Sequence, residues 1–363
     1  MNPRLKNLAW AAAIAALSAA CGSYGPQTVP AARFDYNQAI AQSRDEQMLL
    51  NLVRMRYRDT PFFLEIGHVT TQYDIDGSLS ATPTLVQNND DVVELGASVS
   101  YSETPVVQYL PLQGEDFVKR VSREIDLEIL RVLAQSGWSI ERLFLCCVEQ
   151  INRLANFPSA SGPTPETLPE PFLDQFEKFE ELSRMLRELQ VVGALPLAVQ
   201  GDDEDSDDTS GKGEKEDRRV RLLLEQPEDP EIAEKHQQAR DLLEIDANGG
   251  EAALRTRSLM GVFFYLSQGV EVPPEHESGG LVTVTTASDG SRFDWLPVKD
   301  KLLRIQVAEK PPRDAFIRVY YRGHWFYIAD SDLNSKSTFF LLNYLFSLQS
   351  STPSAPTNLL ISF

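Results

Sequence analysis

The sequence predicts an α+β protein: antiparallel β-meanders packed with amphipathic helices, in two subdomains, with a disordered acidic insert. Three observations predict it. Apolar stripes recur at helical spacing, as at Met48, Leu49, Leu52, Val53 and Met55. Other segments alternate strictly: Val93, Leu95, Ala97, Val99 and Tyr101 stand between Glu94, Gly96, Ser98 and Ser100. Hydrophobic residues make up 42% and charged residues 24% of the 363 positions, the composition of a chain that buries a core.

The chain opens with the build of an export signal over residues 1–20. Arg4 and Lys6 supply a positive start, and the ten residues from Leu8 to Leu17 form an apolar run too short to span a bilayer. Ser18, Ala19 and Ala20 then lead into Cys21. A cysteine directly after small residues resembles the lipobox of bacterial lipoproteins. That resemblance implies cleavage between Ala20 and Cys21 and acylation of Cys21, with palmitate among its fatty acids. With Gly22 rather than Asp next, it implies sorting to the outer membrane, facing the periplasm. Ser18 stands where the motif usually has Leu. The alternative is ordinary cleavage after Ala20, which releases a soluble protein. Residues 21–34, with Pro, Gly and small residues, read as a flexible tether.

Residues 35–156 read as the N-terminal α+β domain. Ser43-x-x-Glu46 is a capping box ahead of the Met48–Met55 stripe, and Thr60-Pro61 stops that helix near Asp59. Residues 62–112 read as a meander: Asp76-Gly77 signals a hairpin turn, 93–101 a strand and 104–110 a return strand. Phe117, Val118, Val121, Ile125, Ile129, Val132 and Leu133 mark one helix closed by Gly137. Ser139 caps another, which runs to about Asn156.

Residues 157–171 are rich in Pro, Ser and Thr and read as the linker to a second α+β domain, 172–363. There Phe172, Phe176, Phe179, Leu182, Leu186 and Leu189 form a helical stripe. Strands over 191–199 and 220–224 flank the insert 201–219, which holds nine acids, four bases and no apolar residue and so cannot bury a core. A helix near 251–268 ends at Gly269. Val282 and Val284, then Leu303, Ile305 and Val307, alternate with polar residues as strands do. Residues 316–321 and 325–328 flank Gly323-His324, a type II′ hairpin turn. An apolar helix over 336–349 and a strand over 359–363 complete the chain.

The net charge of −19 excludes a nucleic-acid binder, which needs a basic face for phosphates. Loss of residues 1–20 removes Arg4 and Lys6 and no acid, so the exported chain is more acidic still. Such a surface is repelled by anionic lipid, which leaves membrane contact to the lipid on Cys21. Cys146 and Cys147 are adjacent within a helical pattern and read as small buried residues. His68, His236, His276 and His324 fall in four different elements, without metal-ligand spacing. Asp330-x-Asp332-x-Asn334 resembles half a calcium loop, but Ser335 and Leu341 stand where Gly and Glu belong, so capping of the last helix fits better. Arg54, Arg56 and Arg58 could form an anion patch. The acids of 202–208 read as a solvated loop. No motif assigns a catalytic, metal-binding or cofactor-binding residue.

Three stretches resemble a family of uncharacterised bacterial lipoproteins: 46–66 (EQMLLNLVRMRYRDTPFFLEI), 109–117 with 135–143 (YLPLQGEDF, QSGWSIERL), and 257–273 with 325–350. The resemblance implies a lipoprotein and carries no activity. The expectation is therefore a lipid-anchored interaction or assembly component of the cell envelope, with a protein partner there. Two alternatives stay open: an envelope hydrolase built from distant acids, and an export-complex subunit whose 62–112 hairpins join a multichain barrel.

Overall fold

The computed structural model describes residues 24–84, 92–163, 167–168, 170–195, 197–199, 219–222, 227–245 and 251–350. Ala20, Cys21, nearly all of the acidic insert and the strand expected at 359–363 lie outside the described residues. The chain forms two compact units: Met1–Pro61 with Asp116–Phe363, and Phe62–Glu115. The fold class is α+β, as the sequence predicts. The domain division is different, because residues 157–171 lie within the larger unit and the hairpin region is the separate one.

The larger unit begins with helix α1, Tyr24–Arg56. It takes in most of the expected tether, and the Ser43–Glu46 pair sits inside the helix rather than at its start. Residues 31–42 are rich in Ala and Gln, good helix formers that carry the helix upstream of the box. Met48, Leu49, Leu52, Val53 and Met55 are buried, each contributing roughly 1.5–3 kcal/mol. Arg58, with φ 59°, ends the run before Thr60-Pro61.

The single helix expected over 117–137 is two: α2, Glu115–Ser122, and α3, Leu127–Gln135. The break forms because Ile125 is held by backbone bonds to the strand region beyond it. Its N–H donates to the Arg257 carbonyl at 3.0 Å, and its carbonyl accepts from Thr256 Oγ1 at 2.7 Å. Asp126 then caps α3. Ser139 caps α4, Ile140–Cys147, as its sequence position predicts, but the helix stops there instead of near Asn156. The chain turns directly into β3, Val148–Ile151, and β4, Leu154–Ala155. β-branched Val148 and Ile151 favour the strand, and residues 254–256 supply its partner.

A 3₁₀ turn, Pro158–Ser161, and β5, Thr167–Leu168, occupy the expected linker. Phe157, completely buried, explains why no boundary falls here. Its ring packs 4.6 Å from that of Phe176 and 5.1 Å from that of Trp295. Helix α5, Glu170–Val191, buries Phe176, Phe179, Leu182, Leu186 and Leu189, the predicted stripe. β6, Leu197–Val199, and β7, Arg219–Leu222, pair antiparallel. Helix α6, Pro230–Leu243, was not anticipated, although Asp229-Pro230-Glu231 carries its cap, its N1 proline and an acid in its first turn.

The helix expected near 251–268 is instead β8, Glu251–Thr256, followed by α7, Leu259–Ser267. Ala252, Leu254 and Thr256 alternate inward, the period of a strand. β8 completes an antiparallel sheet in the order β4-β3-β8-β7-β6. Gly269 lies just beyond α7, and a Cβ there would meet the Leu303 carbonyl at 2.1 Å, so close backbone approach requires glycine.

Two short helices follow, α8, Pro274–Ser278, and α9, Leu296–Lys299. Between them only β9, Thr286–Ala287, is a strand, parallel to β5. Residues 282–285 are not one. β10, Gln306–Ala308, β11, Ala315–Tyr321, and β12, His324–Ala329, form a second antiparallel sheet in the order β10-β12-β11. The turn from β11 to β12 centres on Arg322 (φ 46°) and Gly323 (φ 89°). Two positive angles make it type I′, not the expected type II′. Helix α10, Leu333–Ser350, buries Phe339, Leu341, Leu342, Leu345 and Phe346.

The smaller unit is one hairpin, not a meander. β1 spans Leu64–Thr84 and β2 Val92–Pro111. Asp76-Gly77 lies within β1, opposite Ser100 and Val99, and 104–110 simply continues β2. The turn signal fails because the pairing runs unbroken through it, and Gly77 keeps the pattern of its face. Among the described residues no third strand joins either outer edge.

Candidate functional site

The hairpin has a two-faced register. Opposed pairs share a face, and successive pairs alternate faces. One face holds Ile75 opposite Tyr101, Gly77 opposite Val99, Leu79 opposite Ala97, Ala81 opposite Leu95 and Pro83 opposite Val93. The other holds Asp74 opposite Ser102, Asp76 opposite Ser100, Ser78 opposite Ser98, Ser80 opposite Gly96 and Thr82 opposite Glu94. On this polar face the Ser78 and Ser98 hydroxyls are 2.6 Å apart, and Ser80 Oγ donates to the Gly96 carbonyl at 3.3 Å. Toward the ends that leave the turn region, Val106, Val107, Tyr109 and Leu110 are exposed. Among the described residues this is a sheet of two strands whose outer edges have no strand partner, and unpaired edge amides and carbonyls can accept a further strand.

A second constellation lies in the larger unit, where α8 and β12 bring His276 and His324 together, ring centroids 5.1 Å apart. Tyr57, which follows α1, places its hydroxyl 2.7 Å from His276 Nδ1. Burial pushes the Tyr57 hydroxyl up to about 12. The same desolvation, with the charge of His324, pushes His276 below the usual imidazole range. Both shifts favour the uncharged forms of the two groups, which share one hydrogen bond. His324 Nε2 is 3.1 Å from the Glu275 carboxylate. Alongside, Asp59 accepts from the Tyr321 hydroxyl and from Arg322 Nη2. Burial alone would raise the Asp59 carboxyl, but these two bonds outweigh it and hold it low. The network ties the end of α1 to α8 and to the β11–β12 turn. Sequence spacing could not reveal it, since its members come from three separate stretches, 57–59, 275–276 and 321–324.

A third cluster is wholly buried. Arg257 donates to the carbonyls of Asn156 and Phe157 and to Ser161 Oγ. Asn156 Nδ2 donates to the carbonyls of Leu145 and Val148, and its Oδ1 accepts from Tyr265. Lys299 Nζ lies over the Tyr265 ring and makes no hydrogen bond among the described residues. Burial, then the Arg257 charge, drives its amine far below the usual lysine range. Cys146 and Cys147 are fully buried free thiols, as their positions predict. The Cys147 contact and the nearby cations lower Cys146 against burial, while the pairing and burial raise Cys147.

The other sequence-derived candidates separate. Arg56 is buried and donates to the Thr283 carbonyl at 3.0 Å, while Arg54 donates to the Thr60 carbonyl at 2.9 Å. The arginine run is therefore not one anion patch. Asp330 pairs with Lys336 at 2.6 Å, Asp332 caps α10 through the Ser335 N–H at 3.0 Å, and Asn334 Oδ1 accepts from Arg142 at 3.1 Å. Their oxygens face different partners, two of them cationic, so they do not converge on calcium. His236 is buried in α6. Among the described residues no group of three His, Cys, Asp or Glu is arranged to hold a metal ion, and no helix is long and apolar enough to cross a membrane. Cys21 and the acids of 202–208 lie outside the described residues. No protein family, curated protein or solved structure matches the chain.

Proposed function

We propose that this protein is a lipid-anchored component of the bacterial cell envelope, held through Cys21 at the outer membrane facing the periplasm, and that it works in assembly with envelope protein. The anchor rests on the lipobox-like approach to Cys21 and on the resemblance to uncharacterised lipoproteins. The assembly role rests on the hairpin. Isolated two-stranded ribbons are marginal in water, and strands of 21 and 20 residues with no edge partner among the described residues gain stability by pairing further.

Metabolic labelling with a radioactive fatty acid, followed by membrane fractionation, tests the anchor. The wild type should carry label in the outer-membrane fraction, and Cys21→Ala should carry none. A wild type without label overturns it. Cross-linking in intact cells tests the assembly role: species heavier than the monomer support it, and monomer alone refutes it.

A further inference from the structure

We infer that the hairpin is one stave of a transmembrane β-barrel closed by several copies of this chain, with the Ile75–Pro83 face toward lipid and the Asp76–Ser98 face lining an aqueous lumen. The inference rests on the envelope assignment above and names the partner: further copies of the same chain.

The register carries the argument. Every residue on one face from Ile75 to Pro83, and from Val93 to Tyr101, is apolar or glycine. Every residue between them on the other face is polar, charged or glycine. Each band is nine residues long on its strand, and a tilted strand needs about 9–11 residues to cross the hydrocarbon. Tyr73 and Tyr101 lie at one end of the band, where barrels carry their aromatic girdle.

One hairpin cannot cross a bilayer alone. Its outer amides and carbonyls would be unsatisfied in hydrocarbon, and only a closed ring of strands pairs them all. Both outer edges of this ribbon lack a partner strand among the described residues. Edge-to-edge addition of copies supplies that partner without another protein, and a repeated, identical ribbon closes by rotation. A globular partner covering the apolar face would not need strict alternation matched to membrane thickness. The lumen would carry Asp74, Asp76 and Glu94 from each copy, which favours cations.

The test uses full-length acylated protein in phosphatidylethanolamine–phosphatidylglycerol bilayers. The expected result is a discrete, cation-selective conductance and a detergent-stable oligomer. Leu79→Arg with Leu95→Arg, on the apolar face, should lower conductance by roughly thirtyfold or more, because arginine at the hydrocarbon midplane opposes insertion. Ser78→Arg with Ser98→Arg, on the polar face, should keep the oligomer and shift selectivity toward anions. Thermal unfolding of each variant's larger unit reports folding separately. An acylated wild type that stays monomeric and non-conducting overturns the barrel while leaving the anchor standing. Equal tolerance of both arginine pairs overturns the face assignment. Loss of label at Cys21 with conductance retained would sink the anchor and not the barrel.

Discussion

Lys299 sits fully buried beside the Arg257 guanidinium, without a hydrogen bond among the described residues. Burial and the neighbouring Arg257 charge disfavour the ammonium form in the folded chain, so a charged Lys299 is held at a cost that the unfolded chain does not bear. Lys299→Met removes that cost and keeps the volume. Urea unfolding should show equal or greater stability, by about 1–3 kcal/mol. A loss of that size would mean the amine is charged and held in place. His276 gives a pH prediction of known sign. Its folded pKa is lowered, so the unfolded state binds more protons, and stability should fall as pH drops below about 6.5. Asp59, also lowered, adds a further loss as pH falls through the ordinary carboxylate range, about 4, and below it. Unfolding of His276→Gln, followed between neutral and mildly acid pH, should lack the imidazole part of that slope. Nothing in the sequence marked Lys299 or paired His276 with His324, because burial and approach between distant segments are properties of the packed chain.

At the scale of elements, the amphipathic stripes at Met48–Met55 and Phe176–Leu189 were legible, as were the Ser139 cap and the strands before and after Gly323. Each depends on residues within a turn or two. Boundaries that depend on a distant partner were not legible. α4 gives way to β3 and the 251–256 stretch becomes β8 because the two strands pair, Val148 opposite Thr256 and Ile151 opposite Leu254. Neither segment announces that pairing alone. Gly269 was correctly read as ending a helix, but its tighter constraint is the Leu303 carbonyl. Gly269→Ala should therefore destabilise by about 1–3 kcal/mol or more, measured by thermal and urea unfolding. An unchanged midpoint would show that the 303 region yields easily.

At the scale of the whole molecule, the chain divides at the hairpin rather than at its proline-rich stretch. Phe157 explains the difference: proline composition suggested a linker, but one large aromatic locks that stretch among Phe176, Phe293 and Trp295. Since the hairpin is its own compact unit, polar-face substitutions such as Ser78→Arg should leave the unfolding midpoint of the larger unit unchanged. A shifted midpoint would show that the two units fold as one.

By itself the sequence determined the class of the fold, the apolar faces of its longer helices, and the alternation that gives the hairpin two unlike faces. These follow from periodicity, which needs only neighbouring residues. The tertiary structure alone decided that 62–112 is one long ribbon, that His276 meets His324, and that Lys299 and Arg257 share the core. Those outcomes depend on which distant segments approach and exclude water, and no local pattern encodes that.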